Sequence, residues 1–185
     1  MIRSFIAIAI ADDIRARLKQ AQATMAPAAP GVKWVETANI HLTLRFLGDV
    51  TDETALAVED AMRHAAAGIA PFEMHLRGVG AFPTPQRANV VWAGVEKAEP
   101  LVLLFDRLDA RLRTLDVKQE GRGFEPHVTI GRVKDPKGAQ GLPRALHESQ
   151  AADFGRMTVS ELALMKSELT PAGPIYTALE KVPLI

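Results

Sequence analysis

Two histidines stand in matching frames, His41-Leu42-Thr43-Leu44 and His127-Val128-Thr129-Ile130. Each frame is a polar–apolar alternation, His-x-Thr-x, inside a run that otherwise reads as buried strand. Alternation has period two, so His and Thr share one face while the aliphatics take the other. Each frame therefore offers an imidazole beside a hydroxyl on an apolar backing. Two such frames suit phosphodiester cleavage, which needs a base for the attacking oxygen and an acid for the departing one. An unperturbed imidazole titrates near 6.5, so at neutral pH one ring can carry a proton while the other is free. The two hydroxyls can donate to the non-bridging oxygens, where charge grows in the transition state. Acid–base catalysis contributes about 10²–10⁴-fold, so the chemistry does not require a metal. A small cyclic phosphate fits this design well, because the strained ring already sets its leaving oxygen in line.

Other chemistries have less support. Zinc takes three or four ligands, usually with a close pair, and the remaining histidines, His64, His75 and His147, are scattered. Each of those reads as a surface residue, His75 on the polar side of a strand. A Ser-His-Asp triad has no nucleophile-elbow sequence here. No metal and no cofactor is expected. The competing reading of the frames themselves is two half-buried strands with incidental polar residues on the wet face.

The elements that must carry the frames follow from pattern. Residues 1–10 read as a buried strand, and Asp12 and Asp13 open a helix with Ile14, Leu18, Ala21 and Met25 at helical spacing. A strand runs from Ile40 to Leu47 and stops at Gly48. Thr51 caps a helix through about Ala67. Strands follow at 72–79 and 88–95 around the Pro83-Thr84-Pro85-Gln86 turn. Leu101, Leu104, Phe105, Leu108, Leu112 and Leu115 form the apolar stripe of a third helix. The Gly121-Arg122-Gly123 stretch leads into the second frame. A short helix near 142–148, a strand over about 154–168 and a last strand around 176–182 complete the chain. Strands do not alternate strictly with helices, and Pro-turns join neighbours, which favours α+β with antiparallel pairing. The two histidines lie 86 residues apart, close to half the chain. A duplicated layout with one His-Thr strand per lobe is the natural inference. Residues 1–185 read as one such two-lobed domain, although no repeat is visible outside the frames.

Composition sets bounds. At 185 residues and 48% hydrophobic the chain has ample core. Its formal net charge is zero, so contact with a polyanion must be local. There is no cysteine, which excludes disulfides and thiolate chemistry. No apolar run approaches the roughly 20 residues that span a bilayer, and a cytoplasmic protein without membrane association is expected.

The longer segments His41–Gly48 and His127–Val133 resemble the paired motifs of the two-histidine phosphoesterases. Within that superfamily the chain is similar to the bacterial and archaeal RNA 2′,3′-cyclic phosphodiesterases, historically called 2′-5′ RNA ligases. Phe5-Ile6-Ala7-Ile8, Val32-Lys33-Trp34-Val35, Gly80-Ala81-Phe82-Pro83, Val91-Trp92-Ala93-Gly94 and Gly173-Pro174-Ile175-Tyr176 extend the likeness over nearly the full length. The resemblance implies a bilobal α+β fold, two related lobes each with an antiparallel sheet and flanking helices, with the His-x-Thr strands lining a central cleft. It also implies hydrolysis of RNA 2′,3′-cyclic phosphate ends to 2′-phosphomonoesters. It implies His41 as proton donor and His127 as proton acceptor, with Thr43, Thr129 and Arg132 on the phosphate. Strict parity puts Arg132 opposite His127 and Thr129, unless a bulge at Gly131 turns it inward. Arg45 does share parity with His41 and Thr43, either as a substrate contact or as a solvated charge at the cleft rim. Trp34 and Phe82 are candidates to stack on a base, or are core aromatics. The expected partners are RNA ends or small nucleotides bearing a 2′,3′-cyclic phosphate, and no obligate protein partner is evident. The alternatives are 2′-5′ RNA ligation by the same catalysts in reverse, and a non-catalytic module that binds terminal phosphates.

Overall fold

The computed structural model describes every residue except Glu120 and Arg122, so the Arg122 of the glycine-rich stretch lies outside the described residues. The chain begins with β1 (Ile2–Ala9), α1 (Asp12–Met25), β2 (Val32–Trp34) and β3 (His41–Val50). It continues through α2 (Asp52–Ala66), β4 (Phe72–Phe82), β5 (Val90–Val95) and α3 (Glu99–Leu112). After these come β6 (His127–Val133), α4 (Leu142–Ser149), β7 (Asp153–Val159), β8 (Glu161–Thr170) and β9 (Gly173–Pro183). Local chemistry accounts for the boundaries that matter. The Thr51 hydroxyl accepts from the Thr54 N–H at 3.1 Å and caps α2, with Asp52 and Glu53 in its positive first turn. The α3 stripe buries Leu101, Leu104, Phe105, Leu108 and Leu112, while Leu115 falls beyond the helix end.

The strands pair antiparallel throughout, in the order β7-β4-β5-β6-β3-β1-β8-β9, with β2 added on β6. Separate sheets in two lobes were expected; one continuous sheet is found, because β3 and β6 pair at Leu42–Val128. Each histidine strand thereby heads a wing, four-stranded behind β3 and five-stranded behind β6 once β2 is counted. Helices α2 and α3 pack together and reach β9 on one wing, while α1 and α4 contact β7 and β4 on the other.

A single strand expected over about 154–168 is instead two, and the break shapes the molecule. Only Ser160 separates β7 from β8, yet they stand six places apart in the sheet. In a flat sheet that separation would be about 29 Å, at about 4.8 Å per strand. The wings must therefore curl toward each other, which gives a strongly curled antiparallel half-barrel with four helices. Among the described residues no helix is long and apolar enough to cross a membrane.

Strand β3 also runs past its expected stop. Gly48 has φ +80°, a left-handed conformation open to glycine, and the chain bulges there and stays paired to Val50. His64 and His147 are exposed as expected. His75 is not: it is only 9% exposed, held by Asp153 at 2.9 Å and Glu96 at 3.1 Å. The hydrogen bond that its Nε2–H donates to the Asp153 carboxylate, with Glu96 adding to it, holds its pKa above the usual histidine value. Alternation put His75 outside, but the two acids on β7 and after β5 enclose it.

Candidate active site

The single β3–β6 pair, Leu42–Val128, lies at the centre of both frames. Continued by one residue each way, that antiparallel register sets His41 opposite Thr129 and Thr43 opposite His127. Directly opposed side chains stand about 4.5–5.5 Å apart at Cβ, and the His41–His127 diagonal is about 7–8 Å. Two imidazoles and two hydroxyls thus surround one point, with room between the rings for a phosphoryl group. The apolar partners Leu42, Leu44, Val128 and Ile130 are buried beneath.

Both imidazoles are anchored alike. Nδ1 of His41 donates to the Asn39 carbonyl at 2.7 Å, and Nδ1 of His127 donates to the Glu125 carbonyl at 2.7 Å. A carbonyl only accepts, so Nδ1 carries the proton and Nε2 keeps its lone pair in each neutral ring. Nε2 of His41 accepts from the Thr43 hydroxyl at 3.0 Å. His41 is packed against Phe5 (ring centroids 4.8 Å) and Tyr176 (5.2 Å). Phe82 stands edge-on to His127 at 5.0 Å, with Trp92 behind it. Burial pushes the His41 pKa down, the Asn39 hydrogen bond opposes this, and the Arg132 charge adds to the depression. Burial also holds the Tyr176 phenol above its ordinary value.

A neutral free His41 must gain its proton as the anion arrives, if it is to serve as acid. A bound anion offsets the Arg132 charge and favours the protonated ring by its own charge, which raises the pKa. A ligand that raises a pKa binds more tightly as pH falls through that range. Sulfate, which does not itself titrate there, should therefore bind more tightly at about pH 6 than at about pH 8, and His41→Asn should remove most of the difference. Isothermal titration calorimetry in buffers of different ionisation enthalpy measures the affinity and the proton uptake together. A pH-independent affinity without proton uptake would refute the coupling.

The two frames share a further feature. In β3 the register passes from Ala7–Thr43 to Ile6–Arg45, leaving Leu44 unpaired. In β6 it passes from Trp92–Thr129 to Val91–Gly131, leaving Ile130 unpaired. Both bulges fall three residues after the histidine, and each reverses parity beyond it. In β6 this turns Arg132 onto the face of His127 and Thr129, as a bulge at Gly131 would allow. The Ile130 carbonyl, freed from the ladder, accepts from Gln22 Nε2 of α1 at 2.8 Å and from the Val35 N–H at 3.0 Å. Gly131 itself is needed because a Cβ would meet Val32 at 2.8 Å and the Trp34 ring at 3.0 Å.

In β3 the same bulge removes Arg45 from the cleft, contrary to its expected place as a substrate contact or a charge at the rim. Arg45 is 1% exposed and ion-paired with Asp109 of α3. Its neighbour Phe46 takes the cleft position that corresponds to Arg132.

A groove of about 690 Å³ opens from the frames toward the β8–β9 hairpin. His41, Thr43, Thr129, Arg132 and Trp34 line it, as do Phe5, Phe46 and Tyr176. His127, Phe82 and Arg45 are not among its lining residues. Sequence reasoning missed Phe46, and it used Phe5 and Tyr176 only as landmarks. The anchoring carbonyls of Asn39 and Glu125 leave no side-chain signal at all. Among the described residues no three His, Cys, Asp or Glu side chains gather as a metal site.

Residues 9–171 match the sequence profile of the 2′-5′ RNA ligase superfamily. The chain belongs to that superfamily. Over 179 residues it is 40% identical to the RNA 2′,3′-cyclic phosphodiesterase of Methanothermobacter thermautotrophicus, with 97% of each protein covered. Over 180 residues it is 36% identical to the protein of the same description from Archaeoglobus fulgidus, covering 96% of this chain and 98% of the other. Among solved structures of this fold, TT0787 of Thermus thermophilus aligns with a TM-score of 0.84 at 34% identity, over 98% of this chain and 97% of that one. E. coli LigT complexed with 3′-AMP aligns with a TM-score of 0.81 at 25% identity, covering 99% and 98%. The curled half-barrel is thus the superfamily's fold.

Proposed function

We infer that this member of the 2′-5′ RNA ligase superfamily is an RNA 2′,3′-cyclic phosphodiesterase that works through His41 and His127 without a metal. The observation that carries the mechanism is the Leu42–Val128 pair, which brings both frames to one point with each Nε2 free of its anchoring carbonyl. Kinship with proteins described as RNA 2′,3′-cyclic phosphodiesterases supplies the substrate.

On this reading the cyclic phosphate lies between the two rings. His127 takes a proton from water as its oxygen attacks phosphorus. The bond from phosphorus to the ribose 3′ oxygen breaks, and His41 Nε2–H protonates that oxygen. Thr43, Thr129 and Arg132 hold the non-bridging oxygens, where negative charge increases. The product carries a 2′-phosphomonoester and a free 3′ hydroxyl, and solvent exchange returns the proton from His127 to His41. With the 5′ hydroxyl of a second RNA end attacking in place of water, the same groups open the cyclic phosphate into a 2′-5′ linkage and free the 3′ hydroxyl, and the reverse of that step cleaves such a linkage. Residues 1–185 act as one two-lobed domain, each lobe a wing headed by its histidine strand, placed in the cytoplasm with RNA ends as partners.

The deciding experiment incubates the protein with an oligonucleotide ending in a 2′,3′-cyclic phosphate. Phosphorus NMR of the hydrolysed end against 2′- and 3′-phosphate standards should show the 2′-phosphate. A 3′-phosphate would keep the two-histidine chemistry and reverse the orientation of the ribose. Activity is also expected to survive exhaustive chelation, since two acid–base groups and two hydroxyls suffice for the barrier. Loss of turnover in EDTA that added zinc or manganese restores would overturn the metal-free mechanism.

A further inference from the structure

The groove is longer than a cyclic phosphate requires, and its two banks differ in chemistry. One bank carries Lys33 of β2, Arg132 of β6 and Lys134 just beyond β6. Lys33 and Arg132 are registered partners across the β2–β6 pair, so their cationic groups rise side by side. The Lys134 N–H donates to the Gly31 carbonyl at 2.8 Å, which fixes that backbone against the turn before β2. The opposite bank is the β8–β9 hairpin, with Leu169, Thr170, Pro174 and Ile175. Its Leu169 and Ile175 are 71% and 54% exposed.

The cations on the first bank are not held in place by ion pairs among the described residues. Elsewhere on the surface Lys181 pairs with Glu161 at 2.7 Å and Arg63 with Glu180 at 2.8 Å. Among the described residues Lys33, Arg132 and Lys134 form no ion pair. The neighbouring Asp135 spends its carboxylate on the N–H groups of Lys137 and Gly138. Among the described residues Glu36 is the one acid lining a groove that also holds Arg3. Three unpaired like charges on adjacent strands repel one another, and a polyanion lying between the banks relieves that repulsion. The chain as a whole has no net charge, so the attraction is confined to this path.

We propose that Lys33 and Lys134 form a second phosphate subsite, which holds the internucleotide phosphates upstream of the reacting end and makes the protein select oligonucleotide ends over cyclic mononucleotides. The exposed apolar bank opposite, Leu169 and Ile175, faces the bases of the same strand. This rests on the catalytic reading above for the terminal phosphate, where Arg132 is engaged, but Lys33 and Lys134 take no part in that reading. The two lysines act on binding and leave proton transfer to the histidines.

The test compares a short uridine oligonucleotide ending in a 2′,3′-cyclic phosphate with 2′,3′-cyclic uridine monophosphate. The wild-type protein should favour the oligonucleotide in kcat/KM by at least about tenfold, expressed in KM rather than kcat. The double variant Lys33→Ala/Lys134→Ala should lose that preference, with the oligonucleotide affected far more than the mononucleotide. For single strands the log–log salt slope is about −0.7 per neutralised phosphate, so removing both lysines should flatten the slope for oligonucleotide binding by about 1.4. Binding of the 2′-phosphate-ended oligonucleotide, measured by fluorescence anisotropy at several salt concentrations, reads this slope without any turnover. Equal kcat/KM for both substrates in the wild type, or an unchanged slope in the double variant, would overturn the subsite. Absence of turnover on either substrate would defeat the catalytic reading instead, and the anisotropy series would still decide the subsite.

Discussion

Replacing either His41 or His127 with alanine is expected to lower kcat by at least about 10²-fold, the range for loss of a positioned acid or base. In the proposed mechanism the two rings act on one proton inventory: one gives while the other takes. The double variant should therefore lose little more than the worse single variant, since groups that act as a unit are not additive. His41 packs against Phe5 and Tyr176, so its truncation opens a gap in that cluster. His41→Gln keeps most of the volume and a hydrogen-bonding tip but cannot carry the proton, and should be as inactive as His41→Ala. Thermal unfolding and far-ultraviolet circular dichroism establish the fold of each variant, and turnover of a cyclic-phosphate end measures the chemistry. A folded variant of either histidine with near-normal kcat would refute the mechanism.

Asp109→Ala is expected to cost about 3 kcal/mol of stability, the lower end of the range for removing one partner of a buried ion pair. Arg45 is 1% exposed in this pair, and Asp109, at 14%, also holds Arg113 at 2.9 Å. The buried guanidinium would keep its hydrogen bond to the Lys118 carbonyl but lose the Asp109 carboxylate. The low end applies because Asp109 retains some solvent. Urea unfolding reads the loss, and kcat measured well below the unfolding midpoint should stay within about twofold of wild type, because the pair lies behind the cleft floor. A stability change under about 0.5 kcal/mol would show that the pair does not support the core. A large fall in kcat with the fold intact would return Arg45 to the reaction.

Much of the site was legible in sequence because its logic is short-range. His-x-Thr in an alternating run puts a ring and a hydroxyl on one face whatever the rest of the chain does, since the strand's period is two. The aliphatics between them announce which face is buried, and the absence of close ligand pairs and of cysteine removes metal-thiolate chemistry from consideration. The α3 stripe and the Thr51 cap were readable for the same reason, as was the α+β class. Each depends on neighbours within a turn or two of chain.

Tertiary structure decided what those local rules leave open. Parity holds only while the ladder is regular, and both histidine strands bulge three residues after the histidine. One unpaired residue in each strand sends Arg45 into the core with Asp109 and brings Phe46 and Arg132 to the cleft. The bulge in β6 is held by Gln22, on a helix 108 residues away in sequence, and by the Trp34 ring over Gly131. No local pattern announces such partners. The join of the two wings at Leu42–Val128, the curl that a one-residue link at Ser160 imposes, and the cationic bank built from β2 and β6 are likewise products of pairing between distant segments. Residue types and period two determined which groups could react. Only strand register determined which of them meet, because one extra residue reverses every side chain that follows it.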